Sequence, residues 1–534
     1  MKWTLVVAFP ILVALYSPIS LLSFNAGDVD PSESYRSVVF LALISLSLLV
    51  SLAVLLGSLT KGSLLAATVL LVILSYGHIY NVLKPIGIAG VLIGRHRFLA
   101  PLSAGVILGA STWIWRRKEP LRDSVAFVGT AALALVLWSA LAVVLHEISA
   151  ERPPTLRQPA GAPTESYEPG QRGSTLDIYY IIVDGHGRAD VLDSTYGYDS
   201  REFIEGLEEL GFYVAPRSLS NYAWTALSLA SSLNMTYLDD LRDALGPAGT
   251  DIGPARAMVA DGVVFDWARR MGYEIAAYES GAPRVGPSKV DIYLRPTYTE
   301  AQEEYAVLGG LSLDPFEAML LETSIGRVPF EWFVREQRGT RALITDFNYH
   351  KHRMRILFQL ETLPEFASMN GDYFVFVHIM SPHPPFVFGA NGEEVPNTGV
   401  YSTEDLGCCG KADYIQRYSD QVAFLDKMIL QTVKSLIEAS DDPPIIIIQG
   451  DHGPSANMDE GDSTEQGRFE RMAILNAYLL PDRCRGELYP EISPVNTFRL
   501  ILGRCLGSEV ELLPERSYYS GYWAPYDFIP VADD

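Results

Sequence analysis

Positive charge is in short supply: 41 Lys and Arg stand against 64 Asp and Glu. The deficit is unevenly spread. Residues 1–150 hold ten basic and six acidic side chains, a surplus of 4, whereas the remainder holds 31 against 58, a deficit of 27. So acidic a segment repels a polyanion, and no basic stripe with interleaved aromatics occurs, which excludes nucleic acid as a partner. Cysteine is scarce too. The four residues are Cys408, Cys409, Cys484 and Cys505, and the adjacent pair lacks the two-residue gap of a zinc site. No internal repeat is present, which excludes a repeat array.

Long apolar runs fill the first 150 residues. Five are long enough for the roughly 20 residues of helix that cross a bilayer, near 3–23, 37–58, 63–83, 98–115 and 124–146. The first follows Lys2 as a signal peptide would, but it is long and no clean small-residue cleavage site follows, so it reads as an uncleaved span. Lys and Arg near helix ends resist translocation. The cluster Arg116, Arg117, Lys118 and Arg122 therefore faces the cytoplasm with Lys2 and Lys61, and the loop of Asp28, Asp30 and Glu33 faces the other way. Lys84, Arg95 and Arg97 oppose this arrangement. The balance predicts a plasma (inner) membrane protein whose chain after about residue 147 is extracytoplasmic. His78 and His146, in or at spans, read as polar groups facing the bundle or the interface.

Residues 150–175 are rich in Pro, Gly and Ser without apolar periodicity and read as a linker. Beyond it the pattern alternates. The near-continuous apolar run 176–183 reads as a buried parallel strand, followed by a helix over 199–210, a strand at 212–214, a helix over 262–271 and a strand over 273–278. Further strands are expected at 373–378, 444–449 and 474–480, with helices over 412–438 and 494–503. This alternation predicts an α/β, doubly wound, mostly parallel sheet over 176–534, behind five transmembrane helices in 1–149.

In such a sheet ligands bind beyond the carboxyl ends of the strands. Asp184 ends the first strand, His378 and His383 the middle one, and Asp451-His452 follow four isoleucines. Carboxylates and imidazoles converging there are able to bind one divalent cation. Thr225 stands where a loop becomes a small-residue helix. An N-cap explains it equally well. A helix N-terminus also favours a bound phosphate, and a hydroxyl there touching a cation can be ionised into a nucleophile.

Together, Ile181-Ile182-Val183-Asp184-Gly185, the segment around Thr225, the stretch His378-Ile379-Met380-Ser381-Pro382-His383-Pro384-Pro385 and Gln449-Gly450-Asp451-His452-Gly453 resemble the sulfatase-like branch of the alkaline phosphatase superfamily. The resemblance covers about 176–515, and the five-span layout is similar to that of lipoteichoic acid synthases and phosphoglycerol or phosphoethanolamine transferases. It implies that Asp184, Thr225, Asp451 and His452 ligate one divalent ion, Mn²⁺, Mg²⁺ or Zn²⁺. It further implies that Thr225 is the nucleophile of a phospho-threonine intermediate and that His383, with His378, contacts the substrate. The chain departs from the pattern twice. Asp184 stands where those transferases carry Glu, which weakens transfer of their substrates, and the Cys/Ser-x-Pro-x-Arg signature of true sulfatases is absent. The second departure favours phosphate over sulfate. His186, His350, His352 and His378 are available for a second metal site, but none has a convincing Asp-x-x-x-His partner, which favours one metal.

These features imply a metal-dependent phosphoester transferase or hydrolase acting on envelope lipid or glycan head groups. A simple hydrolase of phosphate or sulfate esters is the alternative, and a catalytically inactive receptor or scaffold is a third reading, to which a charged cluster of this kind brings no advantage. In an oxidising compartment an even cysteine count points to disulfides. Cys484 follows the run 474–480 and Cys505 ends the helix-like segment Val495–Arg504, so a helix returning antiparallel to that strand would pair them; the competing pairing joins Cys408 or Cys409 to one of them, and an inverted orientation would leave all four as thiols.

Overall fold

The computed structural model describes residues 2–532 apart from 26–30, 85–86, 89–90, 93, 119–120, 151–175, 283–284, 298–314, 330–337, 370, 396–402, 404–408, 459–463 and 509. The linker 151–175, Asp28, Asp30 and Cys408 thus lie outside the described residues, as does the side chain of His146. The chain divides into two compact units, Met1–Ile148 with Leu308–Ile344, and Ser149–Val307 with Thr345–Asp534.

The first unit contains α1 (Lys2–Phe24), α2 (Tyr35–Leu55), α3 (Leu59–Leu83), α4 (His96–Arg116) and α5 (Arg122–Ala150). All five are long and apolar enough to cross a membrane. Small residues let α3 approach its neighbours closely: Ser63 Oγ donates to Val6 O at 2.5 Å, and a Cβ on Gly62 would lie 2.5 Å from the Ala53 nitrogen. His78 is exposed on α3.

Within the stretch 176–534, expected to form the extracytoplasmic catalytic domain, Leu308–Ile344 groups with these helices. The cause is apolar: the helix Pro315–Thr323 buries Phe316 against Leu22, and Leu320 packs beside Ala14, Leu41 and Leu70. Gly77 of α3 makes room for it, since a Cβ there would fall 2.1 Å from Glu322 O. Ile325 N–H donates to Ile73 O at 2.8 Å, and Arg36 pairs with Glu317 at 3.1 Å.

The second unit is built on a seven-stranded sheet of β1 (Ile178–Val183), β2 (Tyr213–Val214), β3 (Glu274–Tyr278), β4 (Ile292–Leu294), β5 (Tyr373–Ile379), β6 (Ile445–Gln449) and β7 (Asn476–Leu479), in the order β2-β7-β6-β1-β5-β3-β4. The run from β6 to β4 is parallel; β7 pairs antiparallel with both β6 and β2. Both faces are covered, as the continuous apolar strands require. Ile178, Tyr180 and Ile182 pack with Leu227, Leu229 and Leu233 of α6 (Thr225–Asn234). On the other face Tyr179, Ile181 and Val183 meet Ile356 and Leu360 of α7 (Arg338–Thr362) and Leu425, Ile429 and Val433 of α8 (Lys411–Ala439). A hairpin of β8 (Ser517–Gly521) and β9 (Ala524–Val531) closes the chain.

Cys484 and Cys505 form a disulfide with Cα atoms 5.0 Å apart, closing a separation of 21 residues. By the chain-entropy estimate such a loop contributes about 3 kcal/mol. Changing both to Ser is expected to lower the second unit's urea midpoint accordingly. An unchanged midpoint would show that the bond adds nothing to stability.

Candidate active site

β6, β1 and β5 are adjacent and parallel, so their carboxyl ends open on one edge, and each delivers polar side chains there. Asp184 directly follows β1, His378 lies in β5 with His383 just beyond it, and Asp451 and His452 follow β6. Gly185 makes the first turn possible. Its φ of +75° suits a residue without Cβ, and its N–H donates to Asp451 Oδ1 at 3.1 Å, tying two strand ends together.

Thr225 enters from the other direction, as the first residue of α6, with Trp224 in extended conformation before it. Its Oγ1 lies 3.3 Å from His452 Nε2, which is also 3.3 Å from Asp184 Oδ1 and 3.5 Å from Asp451 Oδ2. His378 Nε2 is 3.5 Å from Asp184 Oδ2. Ligand atoms of Asp184, His383 and His452 lie within 4.8 Å of one another, as do those of Asp184, His378 and Asp451. All six residues expected from the sequence therefore meet at one place. Five are buried and Thr225 alone is partly exposed. His378 and His383, expected to contact substrate, also stand at ligand distance from Asp184.

The imidazoles are oriented by their second nitrogens. His452 Nδ1 faces Gly453 O at 3.0 Å and His383 Nδ1 faces Pro384 O at 2.6 Å; each must donate there, which leaves a lone pair on Nε2. For His452 that lone pair meets Arg471 Nη2 at 3.2 Å and stands 3.3 and 3.5 Å from the carboxylates of Asp184 and Asp451. Asp451 Oδ2 and His378 Nε2 are buried without a hydrogen bond of normal geometry. This donor set of two carboxylates, imidazole and hydroxyl fits a divalent cation.

Burial pushes the Asp451 carboxyl up, but His452, His378, the Thr225 hydroxyl and the Gly185 N–H outweigh it and hold the carboxyl below its usual range. Burial lowers His378 to about 4, against Asp451 and assisted by His383, and its Nδ1 meets Ser280 Oγ at 2.7 Å. His352 is lowered to about 3 by burial, Arg355 and His383. Both rings are neutral at pH 7. His186, two residues after Asp184, bonds to Asp426 Oδ1 at 2.8 Å and Gly187 O at 3.0 Å, which steadies the turn.

Arg471 was not legible as a site residue. It is fully buried and fans out over the loop before Thr225 and the loop after β6: Nε donates to Ala223 O at 2.8 Å, Nη1 to Gly453 O at 3.2 Å and Ser455 Oγ at 2.7 Å, and Nη2 meets His452 Nε2 at 3.2 Å. Its guanidinium lies 4.7 Å from the centre of the Trp224 ring. Every one of these partners is distant from it or unremarkable in sequence. Arg471→Met is expected to reduce turnover roughly 10–100-fold, the size of one or two lost charged hydrogen bonds, with Lys restoring only part. Equal rates for parent and Met variant would deny Arg471 this positioning role.

Residues 355–476 match the sulfatase family model. The matched stretch lies in the second unit and includes His378, His383, Asp451, His452 and Arg471; Asp184 and Thr225 precede it. No curated protein matches the chain. Among solved structures, the chain resembles the integral membrane protein lipooligosaccharide phosphoethanolamine transferase A of Neisseria meningitidis, at 15% identity and TM-score 0.41, covering 94% of this chain and 95% of that one. It also resembles the periplasmic domain of the phosphoethanolamine transferase EptC of Campylobacter jejuni, at 13% identity and TM-score 0.37 over 66% and 94% of the two chains. A third likeness is to the phosphonate monoester hydrolase of Agrobacterium radiobacter, at 13% identity and TM-score 0.40 over 64% and 80%. These are loose superpositions at low identity.

Proposed function

We propose that this chain is a membrane-tethered, metal-dependent phosphoester transferase or hydrolase in which Thr225 is the nucleophile. The observation that carries the reading is the position of Thr225 Oγ1: the one partly exposed member of the cluster, at the start of a helix, 3.3 Å from His452 Nε2 and beside two buried carboxylates. A divalent cation held by Asp184, Thr225, Asp451 and His452 supplies charge that favours the ionised hydroxyl and the developing negative charge on the phosphoryl oxygens.

Thr225 Oγ1 then forms a bond to phosphorus as the bond from phosphorus to the leaving alcohol oxygen breaks. His383, held by Pro384 O through Nδ1, takes up the Thr225 hydroxyl proton on the lone pair at Nε2 and passes it to that leaving oxygen. Water or a second alcohol reverses the step and frees the threonine. The free N–H groups at the start of α6 steady the phosphoryl oxygens. The substrate class is a lipid or glycan phosphoester of the cell envelope, met outside the inner membrane, as the five apolar helices and the basic loops favour.

Mass spectrometry of the intact protein after exposure to envelope lipid extract tests the reading. A mass increase of a phosphoryl or phosphoryl-alcohol group on the peptide containing Thr225 is expected. An adduct on another residue, or turnover with none on rapid quenching, would overturn it.

A further inference from the structure

Within the second unit, large hydrophobic side chains exposed among the described residues are Tyr293, Met369, Tyr522 and Trp523. The last two are neighbours at the β8–β9 turn, 57% and 78% exposed. That turn is not remote from the site. Trp224, the residue before Thr225, donates its indole N–H to Ser520 O at 2.8 Å, and its ring centre is 5.3 Å from that of Tyr522. The rings of Tyr522 and Trp523 are in turn 5.0 Å apart and nearly perpendicular.

The hairpin is held firmly where it meets the loop before Thr225. Tyr518 N–H donates to Asn221 O at 3.0 Å, Asn221 Nδ2 to Arg516 O at 2.9 Å, and the buried Tyr222 ring packs 4.9 Å from Phe528. Exposed aromatic rings on such a rigid base lose little entropy when they bind something. Trp and Tyr combine an apolar face with a polar edge, which suits a ligand that also has both.

We propose that Trp224, Tyr522 and Trp523 form a subsite for a pyranose ring of the substrate or acceptor, seated beside Thr225; the assignment rests on reading Thr225 as the nucleophile. A sugar offers C–H groups to the aromatic faces and hydroxyls to the Trp523 indole N–H and the Tyr522 phenol edge. A bilayer surface is the poorer occupant. The chain beyond residue 150 carries a deficit of 27 charges, which an anionic leaflet repels, and two side chains make too small an apolar area to anchor a unit of this size.

The test uses the full chain, metal-loaded, in a detergent without a sugar head group, titrated with maltotriose and with an N-acetylglucosamine trimer. Saturation-transfer NMR and tryptophan fluorescence report binding without requiring turnover. At least one saccharide is expected to bind the parent, the double variant Tyr522→Ala, Trp523→Ala to bind it at least tenfold more weakly, and Tyr293→Ala to match the parent. Absence of binding to the parent, or equal binding by the double variant, overturns the subsite. So does a blue shift of fluorescence on phosphatidylglycerol vesicles that the double variant loses, in a protein that binds neither saccharide. Failure of the nucleophile reading looks different: saccharide binding persists while Thr225→Ala turns over as fast as the parent.

Discussion

Thr225→Ala is expected to reduce turnover by at least ~10³-fold, about 4 kcal/mol at 1.36 kcal/mol per tenfold, while the protein remains folded. Thr225 is partly exposed at the first position of α6, where alanine is a better helix former and leaves no cavity. The N-cap residue is Trp224, and no side-chain cap is made there, so Thr225 has no capping bond to lose. What disappears is the oxygen proposed to bond to phosphorus. Thr225→Ser keeps that oxygen and is expected to retain a measurable part of the activity. Steady-state rates on a chromogenic phosphodiester, with unchanged thermal melting, check both. Activity of the alanine variant within a few-fold of the parent would remove Thr225 from the chemistry.

The second large effect concerns the cation. Chelation should abolish turnover, and readdition of Mn²⁺, Mg²⁺ or Zn²⁺ should restore it. A cation that binds only the folded protein also stabilises it, by about 2.7 kcal/mol at a hundredfold excess over its Kd. Asp451→Asn is expected to lose both the activity and most of this metal-dependent rise in melting temperature. Asparagine can still accept the Gly185 N–H bond that Asp451 Oδ1 accepts, so the strand ends stay joined while a ligand charge is lost. Undiminished activity in exhaustively chelated protein, with no metal by elemental analysis, would rule out the metal-dependent reading.

The parts of this protein that were legible in sequence are those in which one physical demand dominates. Burial on both faces makes β1, β5 and β6 near-continuous apolar runs, and their ends are marked by Asp184, His378 with His383, and Asp451-His452. The amphipathic stripe of Lys411–Ala439 and the spans of the first 150 residues have the same clarity. The disulfide was legible because strand and helix lengths nearly determine where Cys484 and Cys505 lie. Other features depend on partners far along the chain. β4 and the β8–β9 hairpin carry mixed polar and aromatic sequence, and α7 was missed although it supplies Gln359, whose amide donates to His378 O at 3.0 Å. Arg471 resembles any surface arginine until the loops at Ala223 and Gly453 close around it.

The helix Pro315–Thr323 bears on how the protein can be cut. Because Leu308–Ile344 belongs with Met1–Ile148, the water-exposed unit is not a contiguous stretch that begins at the linker. A secreted fragment starting near residue 176 would carry Phe316, Met319 and Leu320 away from Leu22 and Val143 and leave them facing solvent. Such a fragment is prone to self-associate for a reason unrelated to its catalytic sheet. A water-soluble form of the second unit therefore has to do without Leu308–Ile344.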